Sequence, residues 1–191
     1  MKRMLLSLLI CTIVSTASAQ EATPTPAAAS AANPLTNHNR TLYAGIKTIL
    51  LRAAEKMPEE HYAFRPTEEV RTFGQIVGHI ADSQYMFCST VLGEKNPALR
   101  IEKNKTSRSE LVAALKESFA YCDTAYNRLT DASATEMVRV MGSDAPKLGA
   151  LSVNNVHSIE HYGNLVTYLR IKNIVPPTSE PAFLEQMMKK K

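Results

Sequence analysis

The 191-residue chain has no sustained alternation of polar and apolar residues, no internal repeat, no membrane-length apolar stretch and no strong charge of one sign. Its longest apolar runs fall short of the roughly 20 residues a transmembrane helix needs, so a membrane-spanning body is excluded. The lack of period-two patterning argues against a sandwich or barrel of strands. A formal net charge of +4 gives no reason to expect a nucleic-acid partner, and the basic ending at 189–191 reads as a solvated tail. What is present, 45% hydrophobic and 21% charged residues, is ordinary for one globular domain with a self-sufficient core.

The two ends of the chain differ from its middle. Lys2 and Arg3 precede an apolar run from Met4 to Val14 that gives way to Ala17-Ser18-Ala19, the pattern of a secretory signal peptide over 1–19 cleaved before Gln20. Cys11 follows Ile10, where bacterial lipidation would want a small residue, so a lipid anchor is set aside. Removing the leader leaves 20 basic residues against 18 acidic ones, a net charge of +2, and no stable membrane span. The mature protein is expected to be exported, either periplasmic or secreted. Residues 20–36 are rich in Ala, Pro and Thr, carry almost no large apolar side chains and read as a linker. A domain over 37–173 and a tail over 174–191 complete the expected organisation.

Within that domain, apolar residues recur at helical spacing in four stretches. The first covers Asn37 to Lys56, with Leu42, Ile46, Ile49, Leu50 and Ala53 on one face. The second begins at a capping box, Thr72 with Gln75 three residues on, and ends at Gly93, a residue suited to the left-handed turn after a helix. A third starts at Ser107, with Glu110 in the matching position, and carries Leu111, Leu115, Phe119, Cys122 and Tyr126. Around 131–147 the pattern weakens into a loop marked by Gly142, Ser143, Asp144 and Pro146. The fourth runs from Leu148 to Lys172, and Pro176-Pro177 prevents its continuation. This predicts an all-α fold, an antiparallel four-helix bundle. Cys88 and Cys122 fall at apolar positions and read as small buried hydrophobes, although an oxidising compartment would permit a bridge.

The fourth helix contains His157-Ser158-Ile159-Glu160-His161, and the i, i+4 separation places both imidazoles on one face. His79, between Ile76 and Ile80 on the second helix, is the natural third member; His38 and His61 lie in poorer positions. Three inward imidazoles make a ligand set for a divalent cation: zinc, nickel, iron, manganese or copper, among which neutral imidazoles alone do not choose.

Gly78-His79-Ile80-Ala81-Asp82, together with His157-x-x-x-His161-Tyr162-Gly163-Asn164-Leu165, resembles the DinB-like (DinB/YfiT) superfamily over about residues 41–171. Phe64-Arg65-Pro66 and Tyr168-Leu169-Arg170 add weaker likeness. Asn164 stands where relatives often have Gln. The resemblance implies a four-helix bundle with a divalent metal on His79, His157 and His161, and pairing into homodimers. It also implies kinship with metal-dependent transferases and isomerases that use low-molecular-weight thiols.

Three functions stay open at this point. In the first, the protein is a metal-dependent transferase or hydrolase that activates water or a thiol for a small-molecule substrate, with Gln75, Asp82, Ser83 and Asn164 near the ligands to orient them or touch substrate. In the second, the ion only staples a noncatalytic bundle. In the third, the histidines bind nothing and function resides on a surface. The letters His157-x-x-Glu160-His161 also match inverted-zincin peptidases, a weaker reading because those enzymes are larger α+β proteins with an acidic third ligand far downstream, whereas only thirty residues follow His161 here.

Overall fold

The computed structural model describes residues 32–183 and Glu185; the expected leader and most of the linker lie outside the described residues. Four long helices, α1 (Pro34–Lys56), α2 (Phe73–Leu92), α4 (Arg108–Arg128) and α5 (Lys147–Ile171), surround one core, and a single-turn helix α3 (Ile101–Asn104) lies against α2. Around the ring α1 packs on α5 and α4, and α2 packs on the same two. Phe73, Phe87, Phe119, Leu50, Ile80, Leu115, Leu151 and Leu165 fill the centre. Each such side chain contributes on the order of 1.5–3 kcal/mol by leaving water. No helix among the described residues is long and apolar enough to cross a membrane.

Local signals set most of the boundaries. The Thr72 hydroxyl accepts from the Gln75 amide at 3.1 Å while the Gln75 side chain accepts from the Thr72 amide at 2.8 Å, so the box at the head of α2 closes on both sides. Gly93 ends that helix at φ 71°, a left-handed conformation that glycine adopts without a Cβ clash. Ser107 caps α4. The first helix begins earlier than the linker reading allows: Pro34 occupies its opening turn, and Asp131 accepts from the amides of Leu35 and Thr36 and from the Thr36 hydroxyl. A cap supplied from 95 residues away leaves no local mark in the sequence.

Two further corrections follow. The fold is not purely helical, because Met137–Val140 (β1) and Ser143–Pro146 (β2) pair antiparallel across the segment read as a loop. Met141 and Gly142 connect them with φ of 50° and 84°, the double left-handed geometry of a two-residue hairpin turn. Cys88 and Cys122 are joined in a disulfide, with 5.3 Å between their Cα atoms, and so are not two separate small hydrophobes. Both are fully buried, and the register of α2 against α4 brings them together.

That register is also fixed toward α5. Gln84 donates to the Ser158 hydroxyl at 2.9 Å and accepts from Asn154 at 2.9 Å, while Asn154 reaches the Tyr126 hydroxyl at 3.3 Å. These buried amides leave few alternative alignments of α2 and α5, because a slip would strand polar groups away from water. The consequence is the placement of His79 opposite His157.

Candidate metal centre

His79 on α2 and His157 and His161 on α5 converge by their Nε2 atoms. The His157 Nε2 lies 3.1 Å from that of His79 and 3.1 Å from that of His161, and candidate ligand atoms from all three fall within 4.8 Å of one another. Nitrogens bound to one ion at about 2 Å in a tetrahedral arrangement stand roughly 3.3 Å apart, so the spacing suits a shared cation. His161 is buried and the other two are half-buried, which leaves the cluster at the edge of the core. Of the five histidines, His38 and His61 take no part in the cluster.

Burial, followed by the charges of His161, His79 and Arg71, lowers the pKa of His157 to about 4. His161 is lowered by burial and then by His79, against the opposing charge of Glu160. Both rings are therefore neutral near pH 7, the state in which an imidazole offers a lone pair. Glu160 is exposed and reaches the cluster only through that charge.

Two polar partners orient the rings. Glu102 accepts from His79 Nδ1 at 3.0 Å, which puts the proton on Nδ1 and leaves Nε2 bare. The Asn164 side-chain Nδ2 lies 3.3 Å from His161 Nδ1, a contact that steadies the plane of that ring. The Nδ1 of His157 is buried without a partner among the described residues. Burial opposes ionisation of Glu102, yet the hydrogen bond and charge of Arg71, 2.8 Å away, together with His79, hold its carboxyl below the usual range. The donor set, the neutrality of His157 and His161, and the outer partners thus fit a divalent cation.

Glu102 is absent from the sequence reading because nothing in 93–107 has a helical period. The structure shows how it arrives. Asp82, one turn beyond His79, accepts from the Ile101 and Glu102 amides at 2.9 and 3.0 Å, capping α3 and pinning it to α2. Gly78 permits the contact, since a Cβ there would stand 2.7 Å from the Glu102 Cα. The Ser83 hydroxyl donates to the His79 carbonyl, and Gln75 is spent in the capping box. Of the four residues expected near the ligands, Asn164 touches one directly, Asp82 acts through α3, Ser83 touches only the backbone of His79, and Gln75 serves its own helix.

Clefts open on both sides of the cluster. One of about 650 Å³ is lined by Arg71, Glu102, His161, Asn164 and Tyr168. The other, about 510 Å³, holds His79 and His157 in its wall. Each is of the size that accepts a small molecule.

Residues 46–165 match the family model of the DinB superfamily. The protein YjoA of Bacillus subtilis is 25% identical over 120 residues, which are 61% of this chain and 77% of that one. Among solved structures, a DinB-like protein from Bacillus cereus superposes with a TM-score of 0.65 at 14% identity, over 74% of this chain and 95% of that chain. The crystal structure of YjoA gives 0.60 at 21% identity over 78% and 99%. A mycothiol-dependent maleylpyruvate isomerase gives 0.57 at 14% identity over 70% of this chain and 65% of the isomerase. At these identities the structural likeness establishes a common fold.

Proposed function

The chain belongs to the DinB superfamily, and we propose that it is an exported member whose four-helix bundle holds one divalent cation on His79, His157 and His161 and uses it in catalysis on a small molecule. The observation that carries this reading is the meeting of three Nε2 atoms, with 3.1 Å from the central one to each neighbour. Three lone pairs at that range repel unless a proton or a cation lies between them, and the lowered pKa values of His157 and His161 disfavour protons.

A divalent cation bound there supplies Lewis acidity, which brings water or a thiol toward a neutral-range pKa. The chain's own residues do the rest: Glu102 and Asn164 hold the imidazole planes, α3 shields one side of His79, and the flanking clefts admit the substrate. The fold shared with a mycothiol-dependent isomerase supports the thiol arm of this proposal. Export is supported by the basic, apolar and Ala-Ser-Ala opening of the chain and by the Cys88–Cys122 bridge, which suits an oxidising compartment.

Elemental analysis of protein purified from the periplasm is the test. About one divalent ion per chain is expected, lost in a His157→Ala, His161→Ala variant. Stoichiometric metal with no turnover of thiol–electrophile pairs, esters or amides would reduce the ion to a staple, and no metal at all would remove the proposal.

A further inference from the structure

Among the described residues, four that are not glycine adopt a left-handed backbone: Ala98, Arg100, Met141 and Asn173. Three of them, Ala98, Arg100 and Met141, line the same cleft of about 510 Å³ that has His79 and His157 in its wall. Each such conformation costs an L-residue roughly 1–2 kcal/mol, and outliers of this kind gather where a ligand is held. They come from two separate segments, the connector before α3 and the turn between β1 and β2, so one irregular loop does not account for them. Met141 occupies a turn position that Asn or Gly would fill with less strain.

The chemistry of the lining is divided. Met86, Phe87 and Met141 are apolar. Arg100 is exposed, and while its carbonyl accepts from the Lys103 and Asn104 amides, its guanidinium makes no hydrogen bond or ion pair among the described residues. The carboxylate in the same wall, Asp82, is already engaged by two backbone amides and does not neutralise it. An unpaired guanidinium beside an apolar floor presents a planar fork suited to a carboxylate.

We infer that this cleft binds a small ligand with a carboxylate on an apolar body, Arg100 taking the carboxylate and Met86, Phe87 and Met141 the body. The free end of the ligand then lies against His79 and His157. Its meaning as a substrate site rests on the metal-dependent reading above, whereas the binding itself needs only the cleft.

The test is titration of the isotope-labelled mature chain, metal-free and zinc-loaded, with acetate, hexanoate and 4-phenylbutyrate, and with 4-phenylbutanol as the neutral match. Amide shifts are followed around residues 86–100 and 141. Binding should strengthen with the apolar body, favour 4-phenylbutyrate over the alcohol, and weaken about tenfold or more in Arg100→Ala, with partial recovery in Arg100→Lys. Metal content of the same samples, unchanged in both variants, separates this result from failure of the metal reading. Carboxylate shifts that are absent throughout, that equal those of the alcohol, that persist in Arg100→Ala, or that occur only with zinc and regardless of residue 100, overturn the inference.

Discussion

Replacing Gly78 by alanine should destabilise this protein, although the same change at Gly45 in α1 should stabilise it. Glycine inside a helix is less favourable than alanine by about 1 kcal/mol, so Gly→Ala normally raises stability by that amount. At Gly45 in α1 nothing lies within 4 Å of an added Cβ, and the ordinary gain applies. At Gly78 the new atom would meet the Glu102 Cα at 2.7 Å and its backbone nitrogen at 2.9 Å, and a backbone does not swing aside as a side-chain end would. Overpacking of this kind costs about 1–3 kcal/mol. Relief requires α3 to lift from α2, which loosens the two amide bonds to Asp82, each worth about 1.5–3 kcal/mol as a charged acceptor. After subtraction of the helix gain, overpacking leaves a net loss of up to about 2 kcal/mol. In a domain of this size that is a fall of up to roughly 4–8 °C in Tm, against a rise of about 2–4 °C for Gly45→Ala. Differential scanning calorimetry measures both. Zinc titration should show about 10- to 100-fold weaker binding for Gly78→Ala, because Glu102 no longer orients His79. Equal melting of the two variants, with unchanged zinc affinity, would refute the account of α3.

Two other expectations are independent of that one. Reducing the Cys88–Cys122 bridge frees a loop of 34 residues, which by chain entropy lowers stability by about 4 kcal/mol and Tm by about 10 °C; melting within 2 °C with and without reductant would contradict it. In metal-free protein, His157 has a pKa lowered to about 4 from 6.5, so between those values the unfolded chain holds a proton that the native state lacks. Stability from this group is therefore complete above about pH 6.5 and falls as pH drops toward 4. A His157→Gln variant should show a shallower decline of Tm over that window, and an identical decline would exclude His157 as its source.

What the sequence made legible was local in origin. The Thr72 box, the Gly93 stop and the Ser107 cap each depend on residues within one turn, and all three stand in the structure. His157 and His161 could be read from their spacing, and His79 from its inward face and a resemblance. The hairpin escaped because four-residue strands are too short to show a period. Glu102 and the Asp131 cap escaped for another reason, since both act across the fold on partners 23 and 95 residues away. The bridge likewise depends on how two helices are aligned, which neither helix's own sequence states.

That bridge also decides what a proteolytic cut would do to the molecule. Cys88 and Cys122 close a covalent ring that contains the largely exposed connector 93–100, a stretch open to a protease. A cut there leaves two fragments tied through sulfur and packed on one core. A nicked molecule would keep its mass and its three imidazoles together until a reductant separated the halves.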